Sequence, residues 1–149
     1  MPAPGELSLV KLLATLNPIL SPTTFVFATF RPNTSIPSTL PVQMLFRESE
    51  GTTLITTKAA ADAEEIEYAF PSRMITLDVH SSLEAVGFIA VIANRLKELG
   101  MGVNPVSGYF HDHLFVPVGR DEEAVVCLEG IAREAQKGKR NQQHYRDIH

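Results

Sequence analysis

The chain has 149 residues, of which 44% are apolar and 20% are charged, a composition typical of a folded domain and not of a disordered or fibrous chain. Its net charge of −4 argues against a dedicated nucleic-acid-binding protein, and its longest apolar run, at 85–93, is too short to span a membrane. The single cysteine, Cys127, excludes an internal disulfide and indicates a reducing compartment, so we expect a cytoplasmic protein.

In the first half, prolines break the chain into short elements. Seven of the ten prolines fall within the first 41 residues. Leucines at helical spacing predict a helix over about 6–16, and aromatic and β-branched residues predict a strand over 25–30. Alternating apolar residues over 42–46 and β-branched residues over 52–56 predict a hairpin that turns at Gly51. A proline-rich loop over 31–41 and a short helix over 58–65 are the other elements predicted here.

In the second half, the hydrophobic periods are clearer. Apolar residues alternate with polar ones over 72–79, which predicts a strand with one buried face. Ser81 stands three residues before Glu84, a capping box that predicts the start of a helix running to about Leu99. The last predicted elements are strands at 103–110 and 114–118, joined by a tight turn, and a helix that begins near Arg120.

The order strand, helix, strand, strand, helix is that of a ferredoxin-like unit. A right-handed crossover makes strands 72–79 and 103–110 parallel, with strand 114–118 antiparallel between them. The His80 loop and the turn at Asp112 therefore emerge at the same edge of the sheet, where three of the five histidines and one aspartate converge.

The predicted helix of this half is apolar on every face over 85–93, although a helix that lies on a sheet needs one apolar stripe only. Its second side must be covered either by the first half of the chain or by another subunit.

The C-terminal tract has the opposite character. Residues 137–146 carry four basic residues and no acid, which predicts a solvated tail or a basic anchor for an acidic partner.

Several runs of this sequence resemble the ACT domain. They read VHSSLEAVGF at 79–88, LKELGMGV at 96–103 and SGYFHDHLFVPV at 107–118, and they are specific. The first half resembles the same group less specifically, through its strand at 24–30 and the run FRESEG at 46–51. More narrowly, the chain is similar to small stand-alone tandem ACT proteins that are related to the regulatory modules of aspartate kinase and to cytosolic arginine sensors.

The resemblance implies an α+β fold of tandem ferredoxin-like βαββαβ modules, with antiparallel sheets and helices on one face. The predicted organisation is an N-terminal ACT-like half at 1–71, a C-terminal ACT domain at 72–134, and a flexible, basic polar tail at 135–149.

The same resemblance implies a regulatory or sensor protein that binds a small molecule, usually an amino acid, and has no catalytic activity. It also implies a homodimer, because ACT units commonly pair side by side. No cofactor, membrane or nucleic-acid partner is expected. The alternative function is that of an adaptor, whose ACT surface binds another polypeptide.

In ACT domains the ligand lies where the loop after the first strand enters the first helix, against the second strand. These positions correspond to 78–87 and 102–108 here, and Gly87 matches the small residue that allows close approach. With the adjoining turn, the predicted ligand-binding residues are Asp78, His80, Ser81, Ser82, Leu83, Val86, Gly87, Asn104, Val106, Ser107, His111, Asp112 and His113.

The chemistry of this edge agrees with such a ligand. Free backbone N–H groups at Ser82, Leu83 and Glu84 would bind a carboxylate, and Asp112 would accept an ammonium group. Ser81 is expected to cap the helix whether or not a ligand binds.

A metal-dependent enzyme is the third interpretation, because an H-x-H pair with another histidine can form a zinc site. The three histidines would be His80, His111 and His113. We expect ordinary turn and pocket histidines instead, and no metal. A hydrolytic set of Ser81, His80 and Asp112 is conceivable, but it would use the serine that caps the helix, and the sequence holds no G-x-S-x-G, P-loop or H-E-x-x-H motif.

Overall fold

The computed structural model describes residues 2–148, which form an α+β fold, as predicted. In chain order its elements are α1 (Leu9–Ala14), β1 (Pro18–Phe30), β2 (Met44–Arg47), β3 (Thr52–Thr57), α2 (Lys58–Ala63), β4 (Ala69–Leu77), α3 (Phe88–Lys97), β5 (Asn104–Ser107), β6 (Asp112–Pro117) and α4 (Asp121–Ile148).

All six strands form one antiparallel sheet in the order β2-β3-β1-β4-β6-β5. The first half uses β4-β1-β3-β2 and the second half uses β1-β4-β6-β5, so each half repeats the same arrangement and both share β1 and β4. The long strand β1 makes this possible, because Ile19 at its start pairs with Thr76 of β4 and Ala28 near its end pairs with Leu54 of β3. The module boundary predicted between residues 71 and 72 falls inside β4.

The predicted placement of the strands in the second half is confirmed. Strand β6 lies between β4 and β5 and is antiparallel to both. The predicted hairpin of β2 and β3 also forms. Gly51 follows the turn of this hairpin. A glycine is needed at this position because a Cβ would clash with the carbonyl oxygen of Phe30.

The helices pack on one face of the sheet, and a second apolar cluster lies on the other face. The larger core joins α1, α3 and α4 to the sheet through fully buried residues that include Leu12, Leu77, Ile92, Leu114 and Leu128. The opposite face carries a cluster of strand residues, with Phe25, Ile55 and Phe115 buried at its centre. Helices therefore cover one side of the sheet, and aromatic residues of the strands pack together on the other.

The predicted start of the second-half helix at Ser81 is wrong. Helix α3 begins at Phe88, after Gly87, whose backbone is left-handed with φ 88°. Ser81 does not cap the helix, because its hydroxyl donates a hydrogen bond to Asp112 and its backbone forms a β-bridge with Glu6. A capping box needs a serine with a free hydroxyl, and tertiary contacts occupy this one.

The C-terminal tract is helical. Helix α4 runs from Asp121 to Ile148 and so includes residues 135–148 of the predicted flexible tail, whereas His149 lies outside the described residues. The Gln136 side chain donates a hydrogen bond of 2.9 Å to the carbonyl oxygen of Ala14. This contact joins α4 to the end of α1.

The outer side of α3 is only partly covered. Phe88, Ile92 and Leu96 form its buried stripe, and Leu9 of α1 packs at its edge. Ala90 and Ala93 are exposed, so residues 1–71 do not cover the second side of this helix, which was one of the two predicted arrangements.

None of the helices within residues 2–148 has the length and apolar character that a membrane span requires.

Candidate functional site

The loop at 78–87 and the strands β5 and β6 meet around one carboxylate, that of Asp112. Ser81 donates a hydrogen bond to its Oδ2 at 2.9 Å, and Ser107 donates one to its Oδ1 at 2.5 Å. Asp112 and Ser81 are each only 7% exposed. Because a buried carboxylate needs polar partners, the two serines stabilise Asp112 in this position.

A cavity of about 180 Å³ opens beside this carboxylate, at the N-terminus of α3. Six of the predicted site residues line it, namely Ser81, Ser82, Leu83, Gly87, Ser107 and Asp112. Four further lining residues are absent from the sequence-based set, namely Ala85, Phe88, Ile89 and Ala90. They were missed because the helix begins later than predicted; the glycine at 87 was the available signal for that start.

The N-terminus of α3 gives the cavity a positive end. No side chain caps this helix, and the first-turn N–H groups of Phe88, Ile89 and Ala90 have no acceptor within the helix. These groups and the helix dipole favour an anion.

The N–H groups predicted for this role are largely occupied. The N–H of Ser82 donates to the carbonyl oxygen of Glu6 at 3.0 Å, and that of Glu84 donates to Ser82 Oγ at 3.2 Å. The predicted anion donors at Ser82 and Glu84 are therefore wrong.

An N-terminal segment holds the loop in place. The N–H of Glu6 donates to the carbonyl oxygen of His80 at 2.8 Å, beside the bond from Ser82. Gly5 lies against the same loop, since a Cβ there would be 2.5 Å from the backbone nitrogen of Ser82. Nothing in the local sequence pattern signals this contact, which joins residues 76 positions apart.

The three histidines of this edge point in different directions. The Nε2 atom of His111 lies 3.7 Å from Asp78 Oδ1, while the Nδ1 atom of His113 lies 3.0 Å from Thr76 Oγ1 on the other face of the sheet. The ring of His80 lies 5.4 Å from that of Phe110. Within residues 2–148, no three His, Cys, Asp or Glu side chains are grouped so that they could hold a metal ion.

His113 is half-buried on β6. Loss of contact with water lowers the pKa of His113, and the neighbouring His111 lowers it further. His113 therefore favours its neutral form in the folded protein.

The remaining predicted residues lie outside the cavity. Val86 is 84% exposed on the loop, and Asp78 lies beside His111. On β5, Asn104 pairs with Phe115, and Val106 packs into the apolar cluster of the opposite face. The structure thus divides the predicted set between the cavity, its exposed surroundings and the other side of the sheet.

The chain is similar to known proteins in both sequence and structure. The family model of the ACT domain matches residues 4–73, the half with the less specific resemblance. A Vibrio cholerae protein of unknown function, described as a possible transport protein, has 37% sequence identity and a TM-score of 0.76; the match covers 84% of this chain and 96% of that one. No curated protein matches the chain.

Two more distant structures share the fold. An Agrobacterium tumefaciens protein has 15% identity and a TM-score of 0.63, with 74% of this chain and 84% of that one covered. The aspartokinase alpha and beta subunits have 12% identity and a TM-score of 0.55, with 76% of this chain and 95% of that one covered.

Proposed function

The chain belongs to the ACT domain family, and we propose that it is a regulatory protein that binds a small metabolite of the amino-acid class and catalyses no reaction of its own. One observation carries this proposal: the buried carboxylate of Asp112 and the uncapped N-terminus of α3 line the same cavity. An amino acid has the matching charges. Its ammonium group pairs with Asp112, and its carboxylate accepts hydrogen bonds from the first turn of α3.

The size of the cavity supports a small ligand. Its volume of about 180 Å³ is below the roughly 300 Å³ at which pockets for drug-sized molecules begin. Ala85, Ile89 and Ala90 give part of the wall an apolar surface. A compact amino acid therefore fits better than a nucleotide.

Regulation follows from the connections of the loop. The segment at Glu6 that holds the loop leads directly into α1, and α1 packs against α4. A ligand that binds one position of the loop more tightly shifts the population of that position, by as much as its affinities differ. We propose that this shift alters how the protein associates.

We further propose that the protein is a cytoplasmic homodimer. The absence of an internal cysteine pair supports a reducing compartment. Val86 on the loop, Ala90 and Ala93 on the outer side of α3, and Tyr109 and Phe110 beyond β5 are all exposed, and they supply apolar surface for a second subunit. Sedimentation equilibrium that gives a monomer mass at micromolar concentration would exclude the dimer.

A thermal-shift screen over the twenty amino acids tests the ligand proposal. At about a hundred times its Kd, a ligand stabilises the native state by about 2.7 kcal/mol and raises Tm by several degrees. We expect at least one amino acid to do so with the wild type and with Asp78→Asn, a matched control in an exposed carboxylate of the same edge. Asp112→Asn should lose the response.

Two outcomes would contradict the proposal. If no amino acid at about 10 mM raises Tm, the amino-acid class is wrong. If Asp112→Asn responds as fully as the wild type, the ligand binds elsewhere.

A further inference from the structure

A second hollow lies away from the ligand cavity, between α1 and the C-terminal part of α4. It is an open hollow of about 720 Å³, and four cationic side chains line it: Lys11, Lys139, Arg140 and Arg146. Ser8, Val10 and two glutamines complete its lining, and no acidic residue of the described chain takes part. We call this surface the basic groove.

The cations of the basic groove are poorly neutralised. Lys11 lies 3.5 Å from Glu6 in an exposed ion pair, a type of contact that contributes little. Within residues 2–148, Lys139, Arg140 and Arg146 form no salt bridge. Their positive potential is therefore available to a partner.

Charge is divided unevenly between the C-terminal tract, which carries three of the four groove cations, and the rest of the chain. Residues 133–149 hold five Lys or Arg and two acids, whereas residues 1–132 hold eight Lys or Arg and fifteen acids. A long polyanion such as a nucleic acid would approach the groove across a surface that repels it. A short acidic segment would meet the groove alone.

Apolar side chains border the cations. Val10 lines the groove and is 54% exposed, and Leu7, just before α1, is 57% exposed. Leu7 lines an adjoining hollow of about 670 Å³ that shares Lys11 and Lys139 with the groove and also contains Glu6, the carboxylate that pairs with Lys11. A polypeptide offers acidic and apolar side chains together, and the combined hollow has room for several residues.

We propose that the basic groove binds a short acidic segment of a partner polypeptide. Its carboxylates pair with Lys139, Arg140 and Arg146, and its apolar side chains pack on Leu7 and Val10. Lys139 and Arg146 are about 10.5 Å apart along the helix axis. Carboxylates two helical turns apart, or about three residues apart in an extended segment, match that spacing.

Fluorescence anisotropy with a synthetic probe tests this proposal on the full chain. The probe is a fluorescein-labelled peptide of about 14 residues, with Glu and Leu at helical spacing. We expect it to bind at low salt and to weaken as salt screens the charges. Reversing two groove charges, in Lys139→Glu with Arg146→Glu, should weaken binding by about tenfold or more.

The matched control is the double variant Arg133→Glu with Lys137→Glu, which makes the same change in net charge on exposed positions of α4 outside the groove. It should bind the probe within about twofold of the wild type. Circular dichroism should show equal helix content in all three proteins, so that a loss of binding is not a loss of fold.

Three results would overturn the proposal. Equal weakening in both double variants would indicate attraction to net charge only. A single-stranded oligothymidine that binds at least as tightly as the peptide would assign the groove to nucleic acid. If sedimentation shows that the groove variant dissociates a dimer that the control variant keeps, the occupant is a second copy of this chain.

Discussion

The two halves of the molecule repeat one strand order but fill the connection after their first strand in different ways. In the first half, a loop without a helix joins β1 to β2, and its buried Leu40 packs with Phe30 and Leu54. In the second half, the connection from β4 leads into α3 and leaves the cavity beside Asp112. The same strand order thus supports a closed apolar core in the first half and a cavity beside a carboxylate in the second half. The connection after the first strand therefore determines where a ligand can bind.

The difference has a local physical cause. The prolines at 32, 37 and 41 prevent a helix in the first connection, so single apolar side chains must cover the strands. In the second connection, Gly87 delays the helix and Asp112 holds Ser81 away from it. A hollow remains between the loop and the helix start.

The largest expected effect on the free energy of unfolding comes from a substitution in the apolar core of the first half. Leu40→Ala removes a side chain that is 4% exposed, and it should lower the free energy of unfolding by about 3 kcal/mol through a cavity in the core. Urea denaturation measures this loss. Val42→Ala, at a 60% exposed position of the same connection, should cost less than about 0.5 kcal/mol. The amino-acid response should persist in both; its disappearance in Leu40→Ala would show that the first half also forms part of the site.

A substitution beside the cavity of the second half should have a smaller effect on stability, but it should abolish the rise in Tm that an amino acid causes. Gly87→Val places a β-branched residue in the left-handed region beside the cavity, at a cost of about 2 kcal/mol. Gly100→Val is the matched control, because Gly100 also has a positive φ but nothing within 4 Å of its Cβ position, and it lies at the other end of α3. Both should lower Tm, but only Gly87→Val should abolish the shift caused by an amino acid. An intact shift in Gly87→Val would mean that the cavity is not the ligand site.

The third effect is the loss of stability expected when Asp112 loses a hydrogen bond from one of its two serine partners. Ser81→Ala removes one of its two hydroxyl donors and should cost about 1.5 kcal/mol of unfolding free energy. Ser82→Ala removes only an exposed bond to the N–H of Glu84 and should cost less than about 0.5 kcal/mol. Chemical denaturation of the pair separates the two roles. Equal small losses would show that Ser81 contributes little to holding the carboxylate.

The smallest effect is a pH dependence that arises from His113 in the second half. The pKa of His113 is lower in the folded protein than its ordinary value of 6.5. Below about pH 6.5 the unfolded chain therefore binds more protons, and stability decreases as pH falls. His113→Gln should flatten this decrease in Tm between about pH 7 and 5, compared with the wild type in the same buffers. A profile of His113→Gln parallel to that of the wild type would contradict the assignment.

Much of the candidate site was predictable because its parts lie on clearly patterned elements. Alternation over 72–79 and the crossover rule placed the loop at Ser81 and the turn at Asp112 at one edge, and both line the cavity. The directions of His111 and His113 were not predictable. Two residues two positions apart share a face within one strand, but β6 begins at Asp112, so His111 lies in the turn before it and His113 lies on the strand.

The sequence by itself determined the elements of the chain, the order of β4, β6 and β5, and the class of fold, because hydrophobic period and turn chemistry act over a few residues. Tertiary structure alone decided that β1 joins the halves into one sheet and that α4 extends through the basic tract. It also decided that the N-terminal segment occupies the N–H of Ser82, which leaves the positive end of the cavity to α3. The shared sheet and the contact of the N-terminal segment depend on backbone groups that pair far apart in the sequence, and every residue type except proline carries both an N–H and a C=O group.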